Sequence, residues 1–385
     1  MMTEAFPRLG RRLRLGVVGG GPGSFIGPVH RSAATLDGRF EIVAGVLSSN
    51  FGKTQAAAAA LGIVPYPSVA AMCAGPDGLD AVAVMTPNDR HFEECGTAMA
   101  AGLHVVCDKP LTNTLKEARA LAAQAVDTKR VFCVTHAYTG YPMLRQARAM
   151  VAAGMLGELR AVQVEYLHAG MSQPVESGTL TPKLRWKLDT SRSGPSLVLG
   201  DIGTHAEHLA RFVTNRHITA LAADLGTLVP GRQVHDWAAC LLRMNGGVRG
   251  TLTVSMALAG AENGINLRVF GAKGHLEWNH VRHNQLTLAL HGTPVQTLTR
   301  GGPGGLAPAA RLLRLPAGHP EGLLEGFANL YRDAAEAMVA SILGLPPDPA
   351  ALEFPTAADG AAGLAFIEAA LASQAAGGTW TPLPA

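Results

Sequence analysis

Leu13-Arg14-Leu15-Gly16-Val17-Val18, running into Gly19-Gly20-Gly21-Pro22-Gly23-Ser24-Phe25-Ile26-Gly27, is the stretch that decides the fold of this chain. Its first six residues are a mostly apolar strand signal broken only by Arg14, and Ile26 to Leu36 beyond the glycines reads as a helix. A glycine-rich loop between a strand and a helix lets backbone amides approach a pyrophosphate, and the helix N-terminus adds a favourable dipole. The spacing departs from GxGxxG: Gly19 and Gly21 fit, and the third glycine is best taken as Gly27, three residues late. The position of the loop points to nucleotide binding rather than to a merely flexible turn.

Outward from this loop the same pattern repeats as far as Val134. Phe40 to Leu47 reads as a strand, Lys53 to Leu61 as an alanine-rich helix stopped by Gly62, and Ala81 to Met85 as a strand. A helix over about Asp89 to Ala101 follows, then strand Leu103 to Cys107, helix Leu115 to Val126 and strand Arg130 to Val134. Strands without alternation, each followed by a helix, predict a doubly wound, mostly parallel sheet covered on both faces. The second half changes character. Arg160 to Leu167 alternates through Val162, Val164 and Tyr166, as a half-buried strand does, and further strands are predicted over 220–229, 237–244, 248–256, 265–270, 275–278, 285–290 and 295–298. Asn245-Gly246-Gly247 is a hairpin signal, and the lack of long helices between most of these strands predicts an antiparallel sheet. Arg300 to Ala309 reads as a Gly/Pro-rich loop, followed by helices from Pro320 to Leu343 and from Thr356 to Ala375. The expected organisation is an α/β dinucleotide-binding domain over 1–137 and an α+β domain over 138–385 that includes the helices of 320–376. There is no internal repeat.

Composition agrees with this and excludes other classes. At 385 residues the chain exceeds one compact core, and 48% apolar with 16% charged residues is globular rather than disordered. A net charge of +3 gives no electrostatic case for nucleic acid or a membrane surface. The five cysteines (Cys73, Cys95, Cys107, Cys133, Cys240) are odd in number and lack CxxC spacing, so neither disulfides nor a metal site is expected, and a cytoplasmic location is. Arg11-Arg12 does not begin a twin-arginine signal, because the apolar stretch breaks at Gly19, and no transmembrane span is expected.

Other segments carry candidate chemistry. NAD binders usually place an acid for the adenosine ribose after the second strand. Here that position reads Val46-Leu47-Ser48-Ser49-Asn50 with Lys53 beyond, which leans toward the 2′-phosphate of NADP; Ser48 and Ser49 bonding an NAD ribose is the alternative. Thr86-Pro87-Asn88 ends the next strand, with His91 one turn into a helix, and Asp108-Lys109-Pro110 follows Cys107 on the same expected edge of the sheet. In Gly200-Asp201-Ile202-Gly203-Thr204-His205, a helix would put Asp201 and His205 on one face, able to bind a carbinol and take its proton. A metal set with His208 lacks further ligands at telling spacing, and a core or capping role for Asp201 stays open.

Together these segments resemble the Gfo/Idh/MocA oxidoreductases, named for glucose–fructose oxidoreductase and inositol dehydrogenase, over nearly the whole chain. The glycine loop with His30, Thr86-Pro87-Asn88 with His91, and Asp108-Lys109-Pro110 in place of Glu-Lys-Pro carry the likeness. Gly157-Glu158-Leu159, Trp186 and the Asp201 to His205 stretch complete it. The resemblance implies an NAD(P)-dependent dehydrogenase or reductase moving a hydride between nicotinamide and a sugar, sugar derivative or cyclitol. Lys109 would hold the substrate hydroxyl, His205 would be the general acid/base, and Asp201 would orient substrate. It implies cofactor contacts from Gly19, Gly21, Phe25, Ile26, Gly27, Ser48, Ser49, Lys53, Thr86, Pro87, Asn88, His91, Asp108, Lys109, His136 and Trp186. Softer substrate candidates are Tyr138, Tyr141, His168, Lys187, His235 and Asp236, with Met171 to Ser193 read as a covering loop. Asp108 for glutamate, Lys187 for arginine and Gly194-Pro195-Ser196 for a triple glycine are departures from the family pattern. Two alternatives in the family are a redox-neutral, NAD-dependent glycosidase-like enzyme and a nucleotide-binding sugar-pathway regulator. A homodimer or homotetramer through the C-terminal sheet is also implied.

Overall fold

The five apolar runs of the first half, joined by a short strand at Val64–Pro65 that the sequence reading missed, form six parallel strands in the computed structural model, which describes residues 8–178 and 181–384. They are β1 (Leu13–Gly19), β2 (Phe40–Val46), β3 (Val64–Pro65), β4 (Ala81–Met85), β5 (His104–Cys107) and β6 (Phe132–Val134). Their spatial order is β3-β2-β1-β4-β5-β6, and each neighbouring pair is parallel. This is the doubly wound arrangement whose order reverses between β1 and β4; ligands bind such sheets beyond the carboxyl ends of the strands at that reversal. All five residues of β4 are buried, as a sheet covered on both faces requires. The covering helices obey local stop and start chemistry. Asn50 accepts a bond from Lys53 N to open the helix Phe51–Leu61, and left-handed Gly62 closes it. Thr114 caps the helix Leu115–Asp127 through Glu117 N.

By contact the chain divides into two units, Met1–Gly140 with Leu323–Ala361, and Tyr141–Gly322 with Ala362–Ala385. The helix Leu323–Leu343 therefore belongs with the parallel sheet, whereas the sequence reading placed all of 320–376 in the second domain. Its residues explain the attachment. Glu336 forms a buried ion pair with Arg39 at 3.2 Å, and Tyr331 meets His30. Gly326 lies so close to Gly140 that a Cβ on Gly140 would stand 2.0 Å from its carbonyl oxygen.

His104, at the start of β5, gives this unit an acid sensitivity. Its Nδ1 accepts a bond from Val131 N at 3.0 Å, and burial, helped by Arg130 and opposed by Asp80, pushes its pKa down to about 4. The unfolded chain binds this proton below about pH 6.5 and the folded chain only near 4. Stability from this group is thus intact above 6.5 and is lost as pH falls toward 4, by on the order of 3 kcal/mol. His104→Asn keeps an acceptor for Val131 but does not titrate. Urea unfolding at pH 7 and pH 4 is expected to show a drop smaller by about that amount in the variant.

In the second unit the alternating segments form β7 (Leu159–Leu167), β8 (Ile218–Gly226), β9 (Trp237–Met244), β10 (Arg249–Ser255), β11 (Gly264–Gly271), β12 (Gly274–Asn279), β13 (Gln285–Leu290), β14 (Gln296–Thr299) and β15 (Thr381–Pro382). The order is β14-β13-β12-β11-β7-β10-β9-β8-β15, with β7 and β10 parallel and the other neighbours antiparallel. Asn245-Gly246-Gly247 makes the β9–β10 turn. Val162, Val164, Tyr166, Cys240, Leu242, Leu252 and Val254 are buried, while Gln163, Glu165, Arg243 and Arg268 face outward. The helix Thr204–Thr214 packs on β7. Sequence reading missed the helix Pro142–Ala152, at the start of the second domain, and took 171–193 as a loop. That segment contains the helices Pro182–Leu188 and Thr190–Ser193, and residues 179–180 within it lie outside the described set.

Candidate active site

In the first unit, the predicted cofactor residues gather at one edge because parallel register brings the strand ends together. Gly19 pairs with Met85 across β1 and β4, and Val84 with Cys107 across β4 and β5. The glycine loop, the Thr86-Pro87-Asn88 turn and Asp108-Lys109 are therefore successive neighbours. The loop leaves no room for side chains at two points: a Cβ on Gly21 would lie 2.2 Å from Leu47 O, and one on Gly27 would lie 2.1 Å from Gly20 O. Gly27, the late third glycine, is thus the residue that lets the helix Ile26–Leu36 close on the loop. This narrow, backbone-lined cradle at a helix N-terminus fits a dinucleotide pyrophosphate. Phe25 is 64% exposed beside it. Ser49 and Lys53 are exposed, whereas the Ser48 hydroxyl accepts a bond from Asn50 N at 3.2 Å.

Asp108 is held from several sides. Its Oδ1 accepts from Lys109 N and from the Thr135 hydroxyl, both at 2.9 Å, and His30 Nε2 stands 3.9 Å away. Burial by itself raises this carboxyl, but His30, Lys109 and His91 outweigh it and hold the group well below the usual carboxylate range. His30 meets the Tyr331 hydroxyl at 2.7 Å through Nδ1. Lys109 is half-buried, and His136, beyond β6, is buried. Thr86 donates its hydroxyl to Glu94 at 2.6 Å, and burial raises the Glu94 carboxyl.

His91 needs correction as a cofactor contact. It is wholly buried, with Nδ1 3.0 Å from Pro110 O and Nε2 2.9 Å from Thr86 O. Both ring nitrogens are turned to the backbone, so His91 ties the Thr-Pro-Asn turn to the Lys109-Pro110 loop.

In the second unit, Asp201 sits in a π-helical turn, Leu199–Gly203, that runs straight into the α-helix Thr204–Thr214. Such widened turns recur at functional sites. The helix expected to begin near Asp201 is present, though its first turn is wider than an α-helical one. Lys187 Nζ approaches Asp201 Oδ2 at 2.5 Å, joining the helix Pro182–Leu188 to this turn. Lys187, read as a substrate contact, is thus paired with the carboxylate; half-buried Trp186 precedes it. His205 is 8% exposed, with its ring 6.2 Å from that of Tyr166 at 46°, and Tyr166 donates to Asn263 Oδ1 at 3.1 Å. His208, one turn on, stacks on Phe212. Among the described residues, no group of three or more His, Cys, Asp or Glu is placed to hold a metal ion.

Two other substrate candidates are structural. Asp236 is fully buried: its carboxylate accepts from Leu228 N at 2.7 Å and Val229 N at 3.3 Å and pairs with Arg232 at 3.0 Å. Tyr141 is buried among Trp278, His280 and His283, its hydroxyl 3.3 Å from His280 Nε2. A polar residue near a strand end looks the same in sequence whether it turns outward or fills the core. Tyr138 is also buried, and half-buried His168 accepts from Gly170 N at 2.9 Å. His235 meets the Ser196 hydroxyl at 3.3 Å, bracing the segment that leads to Asp201, and burial lowers its pKa. Sequence reading missed Tyr331 and Asn263, whose partners His30 and Tyr166 are remote in the chain, and Arg31, which bonds Gly20 O but lies outside the glycine pattern.

Residues 13–136 match the oxidoreductase family with NAD-binding Rossmann fold, and residues 144–277 match the GFO/IDH/MocA C-terminal domain. The chain belongs to the Gfo/Idh/MocA oxidoreductase family. It is 33% identical over 390 residues, 99% of each chain, to the uncharacterized oxidoreductase YfiI of Bacillus subtilis (strain 168). It is also similar to an inositol dehydrogenase homolog from Azotobacter vinelandii solved with NAD+, at 38% identity, TM-score 0.91 and 97% coverage of both chains. A structure of an inositol dehydrogenase homolog from the same organism with NADH and myo-inositol gives 38% identity and TM-score 0.89, covering 97% of this chain and 98% of the other.

Proposed function

We propose that this oxidoreductase oxidises a ring CH–OH of a cyclitol or closely related sugar with NAD+. The observation that carries this reading is near-full-length similarity to a homolog solved with NADH and myo-inositol, in a chain with Lys109, Asp201 and His205 at the positions to which the family resemblance assigns the chemistry. The nicotinamide, when bound, supplies the hydride acceptor. Lys109, with its backbone fixed on Asp108, holds the substrate oxygen through its ammonium. His205 takes the hydroxyl proton, and Asp201, steadied by Lys187, orients the substrate. The glycine cradle and the Thr86-Pro87-Asn88 turn hold the dinucleotide.

NAD is preferred here over the NADP suggested by Ser48, Ser49 and Lys53. The similar structures were solved with NAD+ and NADH, whereas Ser48, which accepts from Asn50 N and keeps its own proton to donate, Ser49 and Lys53 suit a ribose hydroxyl as well as a 2′-phosphate. Among the described residues no helix is long and apolar enough to cross a membrane; we take the protein as cytoplasmic. The outer face of the second sheet, with Leu241 54% exposed among Glu165, Arg243, Arg268 and Glu277, suits a self-complementary contact in a homodimer or homotetramer.

The test is steady-state reduction of NAD+ and NADP+ with myo-inositol, other cyclitols and aldoses, followed at the nicotinamide absorbance. Turnover of a cyclitol with NAD+, at a kcat/KM about tenfold or more above that with NADP+, is expected. Preference for NADP+ would reverse the cofactor assignment. Tight NAD retention without net reduction would favour the redox-neutral glycosidase-like alternative.

A further inference from the structure

Arg31 lies in the second turn of the helix Ile26–Leu36, half-buried behind the glycine loop, and its Nη1 donates to Gly20 O at 2.7 Å. That carbonyl is turned toward the helix, since the position a Gly27 Cβ would take is only 2.1 Å from it. A trans peptide points its C=O and the following N–H in opposite directions. A Gly20 carbonyl drawn toward the helix therefore sends the Gly21 N–H away from it, toward the open side of the loop.

We propose that Arg31 is a positioning residue for dinucleotide binding, holding the Gly20 carbonyl inward so that the Gly21 N–H is presented to a pyrophosphate. The electrostatics support it. Among the described residues no carboxylate pairs with Arg31, and burial lowers its pKa, so a cation stands partly desolvated behind the loop with a neutral carbonyl as its partner. A cation in that position gains from an anion on the other side of the loop, and it adds to the helix dipole already directed there. Arg31 falls outside the glycine pattern, so no fingerprint spacing identifies it. The inference rests on the reading that this loop binds NAD.

The test measures dissociation constants for NAD+ and ADP-ribose by calorimetry, and for adenosine by competition against NADH, in wild type, Arg31→Met and Arg31→Lys. Wild-type binding of NAD+ tests the underlying reading; absence of binding there would count against NAD and not against Arg31. Arg31→Met is expected to weaken NAD+ and ADP-ribose by roughly 10- to 100-fold, since charge-assisted bonds are the strong ones, and to leave adenosine within about twofold. Arg31→Lys, which keeps the charge and one donor, is expected to recover part of the loss. It also carries the test alone if the methionine variant does not fold, with a severalfold weakening confined to the pyrophosphate ligands. Equal weakening of adenosine, or unchanged NAD+ affinity in both variants, would overturn the proposal.

Discussion

His205→Ala is expected to lower kcat by about 10²- to 10⁴-fold, the range over which a positioned acid/base contributes, while the dissociation constant for NAD+ stays within about twofold. The residue opens an α-helix directly after the π-helical turn that carries Asp201, and its ring lies against Tyr166 with little solvent access. Tyr166 is itself fixed through Asn263, so the imidazole sits in a built environment. Imidazole is the side chain whose ordinary titration range suits moving a proton near neutrality. The same geometry predicts that removing it damages the chemical step more than the fold, which thermal unfolding of the variant checks. A kcat within about tenfold of wild type would remove His205 from the acid/base role.

The second large effect is on stability. Arg300→Met is expected to cost about 3–5 kcal/mol, because it strands a buried carboxylate. Arg300 Nη1 meets Glu321 Oε1 at 2.8 Å, and both side chains are 1% exposed. The guanidinium also donates to the carbonyls of Leu315 at 2.9 Å and Pro316 at 3.0 Å, and to that of His319. Glu321 Oε1 in turn accepts from Arg314 N at 2.9 Å and Leu315 N at 2.8 Å. The pair closes the segment from the end of β14 to residue 321, which has little regular structure of its own. Replacing both partners, as Arg300→Met with Glu321→Gln, is expected to cost less than the two single losses added together, since neither charge is then left alone. Urea unfolding of the three variants decides it, and a single-variant loss below about 1 kcal/mol would show the network to be dispensable.

Much of the fold was legible because its signals are local. β4 at Ala81–Met85 and the helix Ile26–Leu36 begin and end where the apolar run and the glycine loop said they would. β9 at Trp237–Met244 and the turn after it did the same. A run of apolar residues without alternation has one comfortable place, inside a sheet covered on both faces, and alternation with a period of two has another. β3, two residues long, carries too little pattern to be read. The helix Leu323–Leu343 was read as a helix but placed with the wrong neighbours. Its apolar face shows that it packs on something, whereas Arg39 and His30, which receive Glu336 and Tyr331, lie some three hundred residues earlier.

The same division runs through the candidate site. Glycine, proline and the Asp-Lys-Pro and Asp-x-x-x-His spacings identified the strand ends and the helix start, since turn chemistry and helical periodicity act over a few residues. The sequence by itself determined the two layered architectures and the segments that bear Lys109, Asp201 and His205. Tertiary structure alone decided that Lys187 pairs with Asp201, that His91 turns both nitrogens to the backbone, and that Asp236 and Tyr141 are spent inside the fold. The physical reason is that a side chain's period sets which way it points, while its partner is set by where the packed chain brings distant residues together.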